Sequence, residues 1–197
     1  MDAGRIGQAF FRWRSYTPIP LLLAALLLAR PAWWTMALGY ALLVGGELLR
    51  VSSVGFASGA TRTLQPGVGQ LITGGPYSYT RNPLYLGNFL ISLGLCLAAW
   101  AWMPWMLFVF VAAFALQYGF IVRLEETTLA EKLGAEYSDY LRDVPRWAFR
   151  FTPYHPRHPE RGNFLAGLRS ERRTLQSIAV VTVLLIIRGF VFASWLR

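Results

Sequence analysis

The sequence predicts an all-α fold, an integral membrane helical bundle of about five transmembrane helices, and three observations carry that prediction. Of the 197 residues 55% are hydrophobic and 15% charged, with a mean hydropathy of +0.39, too few polar side chains to coat a water-soluble globule. The apolar residues gather in runs separated by charged or Gly/Pro-rich stretches. The 19 Lys and Arg residues, which give a formal net charge of +9, are shared unequally between alternate connections.

The runs are Tyr16–Ala29, Pro31–Leu49, Pro83–Trp100, Met103–Val122 and Thr174–Ile187. A membrane span takes roughly 20 residues, so the first and last runs, 14 residues each, must borrow flanking residues or tilt. A chain this short has no room for an anchor plus a large soluble enzyme. Residues 1–197 therefore read as one membrane-embedded domain, with N-terminal helices over 1–64, a core over 65–150, and a cytosolic loop plus C-terminal helix over 151–197.

With the N-terminus in the cytosol, segments 1–15, 50–82 and 123–173 hold 3, 3 and 10 basic residues, and the far side keeps Arg30, Arg188 and Arg197. A split of 16 to 3 is the positive-inside bias of a multi-pass protein, not a nucleic-acid patch. Trp33, Trp34, Trp100, Trp102 and Trp105 fall at the two opposite hairpins, where interfacial aromatics belong. Pro31 and a second apolar run follow the first at once, which excludes a cleaved signal peptide. The single cysteine, Cys96, lies in an apolar run and reads as a packing residue, so neither a disulfide framework nor a four-ligand zinc site is expected.

Chemistry should lie where polar residues converge at one membrane face, and two segments compete. The first, Gln65 to Gly87, has Gly67, Gly69, Gly74 and Gly75 for sharp turns, Arg81 as a forked donor and Pro83 to open a helix. That helix aims its N-terminal amides at whatever binds beside residues 77–82, and a carboxylate suits the place. The same composition also fits an interfacial loop whose arginine reaches lipid phosphate.

In the second segment, Arg123 to Phe149, the fourth apolar run continues into a charged helix with Glu125 and Glu126 at the membrane edge. A carboxylate there is unfavourable near anionic lipid unless it faces protein, water or a cationic ligand. Glu125 is read as the ligand contact, and Glu126, Glu131 and Glu136 as a solvated helix end with i,i+4 pairs. Glu47 is read as a span terminus reaching for water in preference to a residue facing a polar pocket. His155 and His158 stand in a proline-flanked stretch, too few ligands for a metal site.

The chain reads Gly75-Pro76-Tyr77, Arg81-Asn82-Pro83-Leu84-Tyr85-Leu86-Gly87, Glu125-Glu126-Thr127-Thr128-Leu129, Gly134 with Tyr137 and Tyr140, and Val144-Pro145. In order and spacing this resembles the C-terminal core of the isoprenylcysteine carboxyl methyltransferase family and its phospholipid methyltransferase relatives, over about residues 65–150. The resemblance implies an S-adenosylmethionine-dependent methyltransferase, with a cytosol-facing cofactor pocket and a lipophilic, lipid or isoprenoid-like acceptor arriving through the bilayer. Carried over, the cofactor pocket comprises Gln70, Leu71, Ile72, Tyr77, Arg81, Asn82, Pro83, Leu84, Tyr85 and Glu125. Arg123 and Arg146 are the candidates for the acceptor's head group. Membrane lipids are the expected partners, with no nucleic acid and no metal.

Two departures bear on mechanism. The family's histidine is Asn82 here, which cannot titrate near neutrality and so excludes a histidine base at this place. The family's substrate arginine, four residues before the glutamate, is Ile121, so a minimal prenylcysteine is not the expected acceptor. Other readings are a sterol-reductase-like enzyme using a nicotinamide cofactor, since those enzymes share a similar turn, and a noncatalytic lipid-binding protein. The first would want more basic residues for its phosphates.

Overall fold

In the computed structural model, which describes residues 3–57, 71–154 and 161–195, proline and glycine mark many helix ends. The helices are α1 (Ala3–Trp13), α2 (Ile19–Leu27), α3 (Trp33–Ala57), α4 (Pro83–Ala99), α5 (Trp105–Leu133), α6 (Ala135–Asp143), α7 (Phe164–Ser170) and α8 (Arg172–Trp195). Pro18 precedes α2, Pro83 begins α4 and Pro104 precedes α5. Gly134, at φ 57°, separates α5 from α6, a backbone conformation glycine adopts without penalty. A 3₁₀ turn covers Gly75–Ser78, and no strand occurs among the described residues.

Five spans are expected from the sequence, whereas two of the described helices, α3 and α5, are long and apolar enough to cross a membrane by length and composition. The difference has a local cause at each place. α4 is apolar but has 17 residues. α2 has nine, about 14 Å of helix against a hydrocarbon core of roughly 30 Å. Pro18 and Pro20 lack the N–H groups that would have joined α2 to what precedes it. α8 runs for 24 residues, with Arg172 and Arg173 at its start and Arg188 in its apolar stretch.

The residues before the first apolar run, expected as a cytosolic tail, form α1 and dock on α5. Phe10 stacks on Phe120 with ring centroids 5.8 Å apart, and Phe11 is buried with Tyr118 and Ile121. At the break, just before Pro18, Thr17 donates to Gln117 Oε1 at 2.5 Å. Ala25 and Ala29 then join Met106 and Ala99 in one buried cluster. In sequence, α1 and α2 thus track α5 from the level of Leu124, against which Gly7 lies, to that of Met106, about 27 Å of helix.

α3 and α4 approach closely because glycine faces glycine. Gly39 lies against Gly94 and Gly46 against Gly87, a seven-residue spacing on both helices. Small residues of this kind let helix backbones pack tightly where no apolar-to-water gain drives association. A Cβ at Gly46 would stand 2.8 Å from the Gly87 carbonyl oxygen and 2.8 Å from Leu90 Cβ, whereas Gly45 has nothing within 4 Å. Gly46→Ala is therefore expected to destabilise by roughly 1–3 kcal/mol through overpacking. Gly45→Ala should be neutral or stabilising by up to about 1 kcal/mol. Thermal unfolding in detergent checks the pair, and equal effects would remove the close-packing explanation.

Candidate active site

The loop before α4 is held by the chain that follows α6. The Arg81 amide donates to the Pro145 carbonyl at 2.9 Å, Arg150 to Tyr79 at 2.9 Å and Tyr154 to Ser78 at 2.9 Å. Asn82 Nδ2 donates to the Arg146 carbonyl at 3.0 Å, and the Tyr140 hydroxyl donates to the Tyr77 carbonyl at 2.7 Å. Tyr137, Tyr140 and Val144 are buried together, with Leu71, Leu129 and Tyr154 packed around them. Burial, reinforced by the charge of Glu126, pushes the Tyr137 phenol above its usual range. The Gly134, Tyr137, Tyr140 and Val144-Pro145 positions of the sequence pattern thus form the brace that shapes the loop.

Two adjacent carboxylates of α5 face this loop differently. Glu125 Oε1 accepts from the Tyr85 hydroxyl at 2.7 Å, and the Tyr85 and Tyr118 rings lie 4.8 Å apart. Glu126 accepts a two-pronged pair of bonds from Arg146, through Nε at 3.0 Å and through Nη2, and pairs with Arg81 Nη1 at 3.4 Å. Donating these bonds to Glu126 raises the Arg146 pKa further.

These groups surround a cavity of about 760 Å³, within the roughly 300–1,000 Å³ of small-molecule sites. Of the sequence-predicted residues, Leu71, Ile72, Tyr77, Arg81, Asn82, Leu84, Tyr85 and Glu125 all line it. Pro83 is buried at the start of α4 and does not. Gln70 lies outside the described residues, as do Gly67, Gly69, His155 and His158. Arg123 is exposed and Arg146 points its fork at Glu126, and neither lines the cavity.

Two expectations need correction. Glu126, expected on a solvated helix end, is only 12% exposed, lines the cavity and pairs with two arginines, because the segment after α6 folds back over α5. Glu131 and Glu136 are exposed as expected. Glu47, expected to reach for water, is 7% exposed, 3.7 Å from Arg50 Nε. Arg50 in turn bonds Glu171 Oε2 at 2.6 Å and Asn88 Oδ1. Sequence reasoning also missed the cavity residues Arg14, Arg50 and Asn88 and the α8 face with Thr174 and Ile178. The one available signal is a charge within an apolar run, at Glu47, with Arg50 three residues on at its end.

The profile of the phospholipid methyltransferase family matches residues 34–136, just over half of the chain. The chain belongs to that family. Its members are integral membrane methyltransferases related to the isoprenylcysteine carboxyl methyltransferases, and the match takes in α3, α4, α5 and the loop carrying Tyr77 and Arg81. The nickel-cobalt-cadmium resistance protein NccN of Alcaligenes xylosoxydans xylosoxydans is 31% identical over 140 residues, 68% of this chain and 61% of that protein. The cobalt-zinc-cadmium resistance protein CzcN of Cupriavidus metallidurans is 38% identical over 89 residues, 43% of this chain and 38% of that protein. The chain thus spans less than two thirds of the length of both relatives. No solved structure matches. Among the described residues of this family member, no three His, Cys, Asp or Glu side chains are grouped to hold a metal ion.

The arginine pair at Glu126 generates a prediction. Glu126→Gln leaves two guanidiniums, one of them mostly buried, without a counter-charge, a loss on the order of 2–3 kcal/mol. Glu136→Gln on exposed α6 should change stability by less than about 0.5 kcal/mol. Chemical denaturation of the two variants checks this, and similar midpoints would show that the pairing at Glu126 carries no stability.

Proposed function

We propose that this family member transfers a methyl group from S-adenosylmethionine to a lipophilic acceptor, lipid or isoprenoid-like, at the cavity lined by Tyr77, Arg81, Tyr85 and Glu125. The observation that carries the reading is the convergence of eight predicted residues, from the loop, α4 and α5, on one wall. The donor set fits the cofactor. Arg81 Nε is buried with no hydrogen-bond partner, and the first turn of α4 has no side-chain cap, both suited to a carboxylate. Tyr77 and Tyr137 offer rings for adenine or the sulfonium. Glu125 offers a carboxylate for ribose hydroxyls or an ammonium.

When bound, S-adenosylmethionine supplies a methyl group on positively charged sulfur, which departs as a neutral thioether once an acceptor lone pair takes the carbon. The chain's part is to orient and to exclude water. Tyr85 fixes Glu125 by its 2.7 Å bond, and the brace from α6 fixes Tyr77 and Asn82. Asn82 holds a carbonyl and moves no proton. Ile121 is fully buried against Phe11, so that position offers no cation to a prenylcysteine carboxylate.

The topology belongs to the same reading. Five passes bring the chain across the membrane, the first assembled from α1 and α2, which together track the apolar length of α5. The ionic end of the cavity and segments 50–82 and 123–173 then face the cytosol, with the tryptophans around residues 33 and 102 on the other side. The bilayer is the acceptor's route of entry, between helices.

Two measurements test this. In detergent, S-adenosylmethionine and its demethylated product should raise the melting temperature while nicotinamide dinucleotides and buffer do not. Glu125→Ala should weaken the cofactor effect by roughly ten- to a hundredfold. Stabilisation by a dinucleotide instead would replace the methyltransferase with a reductase, and none at all would leave a noncatalytic protein. For topology, a reagent that cannot cross the membrane should label Trp102→Cys from outside intact cells and spare Thr152→Cys, both in a Cys96→Ser background. The reverse pattern would invert the orientation.

A further inference from the structure

The cavity changes character along its length. Its loop end is ionic, with Arg81, Glu125 and Glu126, and from there it follows α4 to Leu95, where Leu22 of α2 and Ile178 and Val181 of α8 make an apolar arm. At the junction Asn88 and Tyr118 both line the wall. Asn88 is one turn of α4 beyond Leu84, and Tyr118 stands two turns of α5 before Glu125, about 10 Å along the helix. Tyr118 is 8% exposed, and its ring is held by those of Tyr85 and Phe114, with centroids 4.8 Å and 4.2 Å away.

A relay of donors and acceptors fixes where the Tyr118 hydroxyl sends its proton. Arg50, held by Glu171 at 2.6 Å and by Glu47 at 3.7 Å, donates to Asn88 Oδ1. A guanidinium only donates, so it keeps the amide oxygen of Asn88 on its own side and turns the amide nitrogen to the other. That nitrogen donates to the Tyr118 oxygen at 3.3 Å. The phenol therefore accepts from Asn88, and its proton must point elsewhere. Among the described residues that proton meets no acceptor, the Tyr85 hydroxyl being itself a donor to Glu125. A buried donor left unpaired is costly, and on a cavity wall a bound molecule can complete it.

We propose that Tyr118 donates a hydrogen bond to an oxygen atom of the molecule bound in the cavity, and that Asn88 and Arg50 are its positioning residues. The relay discriminates between partners at this place. An ammonium, which only donates, would compete with Asn88 for the phenol oxygen, whereas a carbonyl, carboxylate or ether oxygen takes the proton that Asn88 leaves over. Arg50 does not supply the bond itself, because Glu47, Glu171 and Asn88 already share its guanidinium. Calling the bound molecule the methyl acceptor rests on the methyltransferase reading; the hydrogen bond from Tyr118 does not.

The test uses two neutral probes of equal shape, methyl undecyl ketone and the alkene in which a methylene group replaces its carbonyl oxygen. Each is added to the full chain in neutral detergent without cofactor, and the shift in melting temperature is read against probe concentration. The ketone is expected to act at roughly fivefold lower concentration than the alkene. Tyr118→Phe should abolish that preference. So should Asn88→Asp, which keeps a partner for Arg50 but gives the Tyr118 proton an acceptor and turns it from the cavity. Tyr16→Phe, which removes an exposed hydroxyl, should keep the preference, and a purely structural loss would weaken both probes alike. No ketone preference in the native chain, a preference unchanged in Tyr118→Phe, or one lost there but kept in Asn88→Asp overturns the proposal. If Asn88→Asp does not fold, the carbonyl stretch of the bound ketone decides: it should lie at lower frequency in the native chain than in Tyr118→Phe, and equal frequencies overturn the proposal. Failure of S-adenosylmethionine to stabilise the native chain counts against the methyltransferase reading alone, because the probe pair is measured without it.

Discussion

Glu126 is the carboxylate on which the loop end of the bundle depends. One side chain on α5 ties Arg81, at the mouth of α4, to Arg146, beyond α6. Those two arginines bracket the backbone bonds by which segment 144–154 holds the loop. A buried carboxylate with one arginine is a costly arrangement unless its remaining lone pairs are used. Here the fork of Arg146 and the single contact of Arg81 use them. The neighbouring Glu125 is thereby left to Tyr85 and to the cavity.

A second ionic group, Glu47, Arg50 and Glu171 with Asn88, does for the other flank what Glu126 does for the first. It joins α3 to α4 and to the start of α8, where the Thr174 hydroxyl also donates to Glu171 Oε2 at 2.7 Å. The close glycine packing of α3 on α4 brings Arg50 within reach of Asn88. Backbone proximity, in other words, is what lets a short polar side chain meet an arginine inside an apolar bundle. The consequence is a cavity whose polar wall is tied by ion pairs while its far arm is built of Leu, Ile and Val.

The candidate site was readable to the extent that its residues are local to one turn or one helix. Tyr77, Arg81, Asn82 and Tyr85 lie within one loop and one helical turn, and Glu125 follows from a charge at the end of an apolar run. Glu126 was misplaced because i,i+4 pairing is a rule about an isolated helix, and its partners come from residues 81 and 146. The pairing of Arg146 with Glu126 is illegible for the same reason, since a basic residue near a membrane face has the same composition whether it meets a lipid phosphate or a carboxylate of its own chain.

The sequence by itself determined the helical class, the apolar lengths and the family, because hydropathy, helix-breaking prolines and motif spacing are properties of neighbours along the chain. Only the tertiary structure decided that α1 docks on α5, that the first apolar run is split at Pro18, and that Arg14, Arg50 and the α8 face reach the same cavity as the loop. Those placements depend on contacts such as Thr17 with Gln117 and Arg50 with Glu171, about one hundred residues apart. No local preference encodes a contact at that separation: it is settled when packing brings the helices together and each buried charge must find a partner.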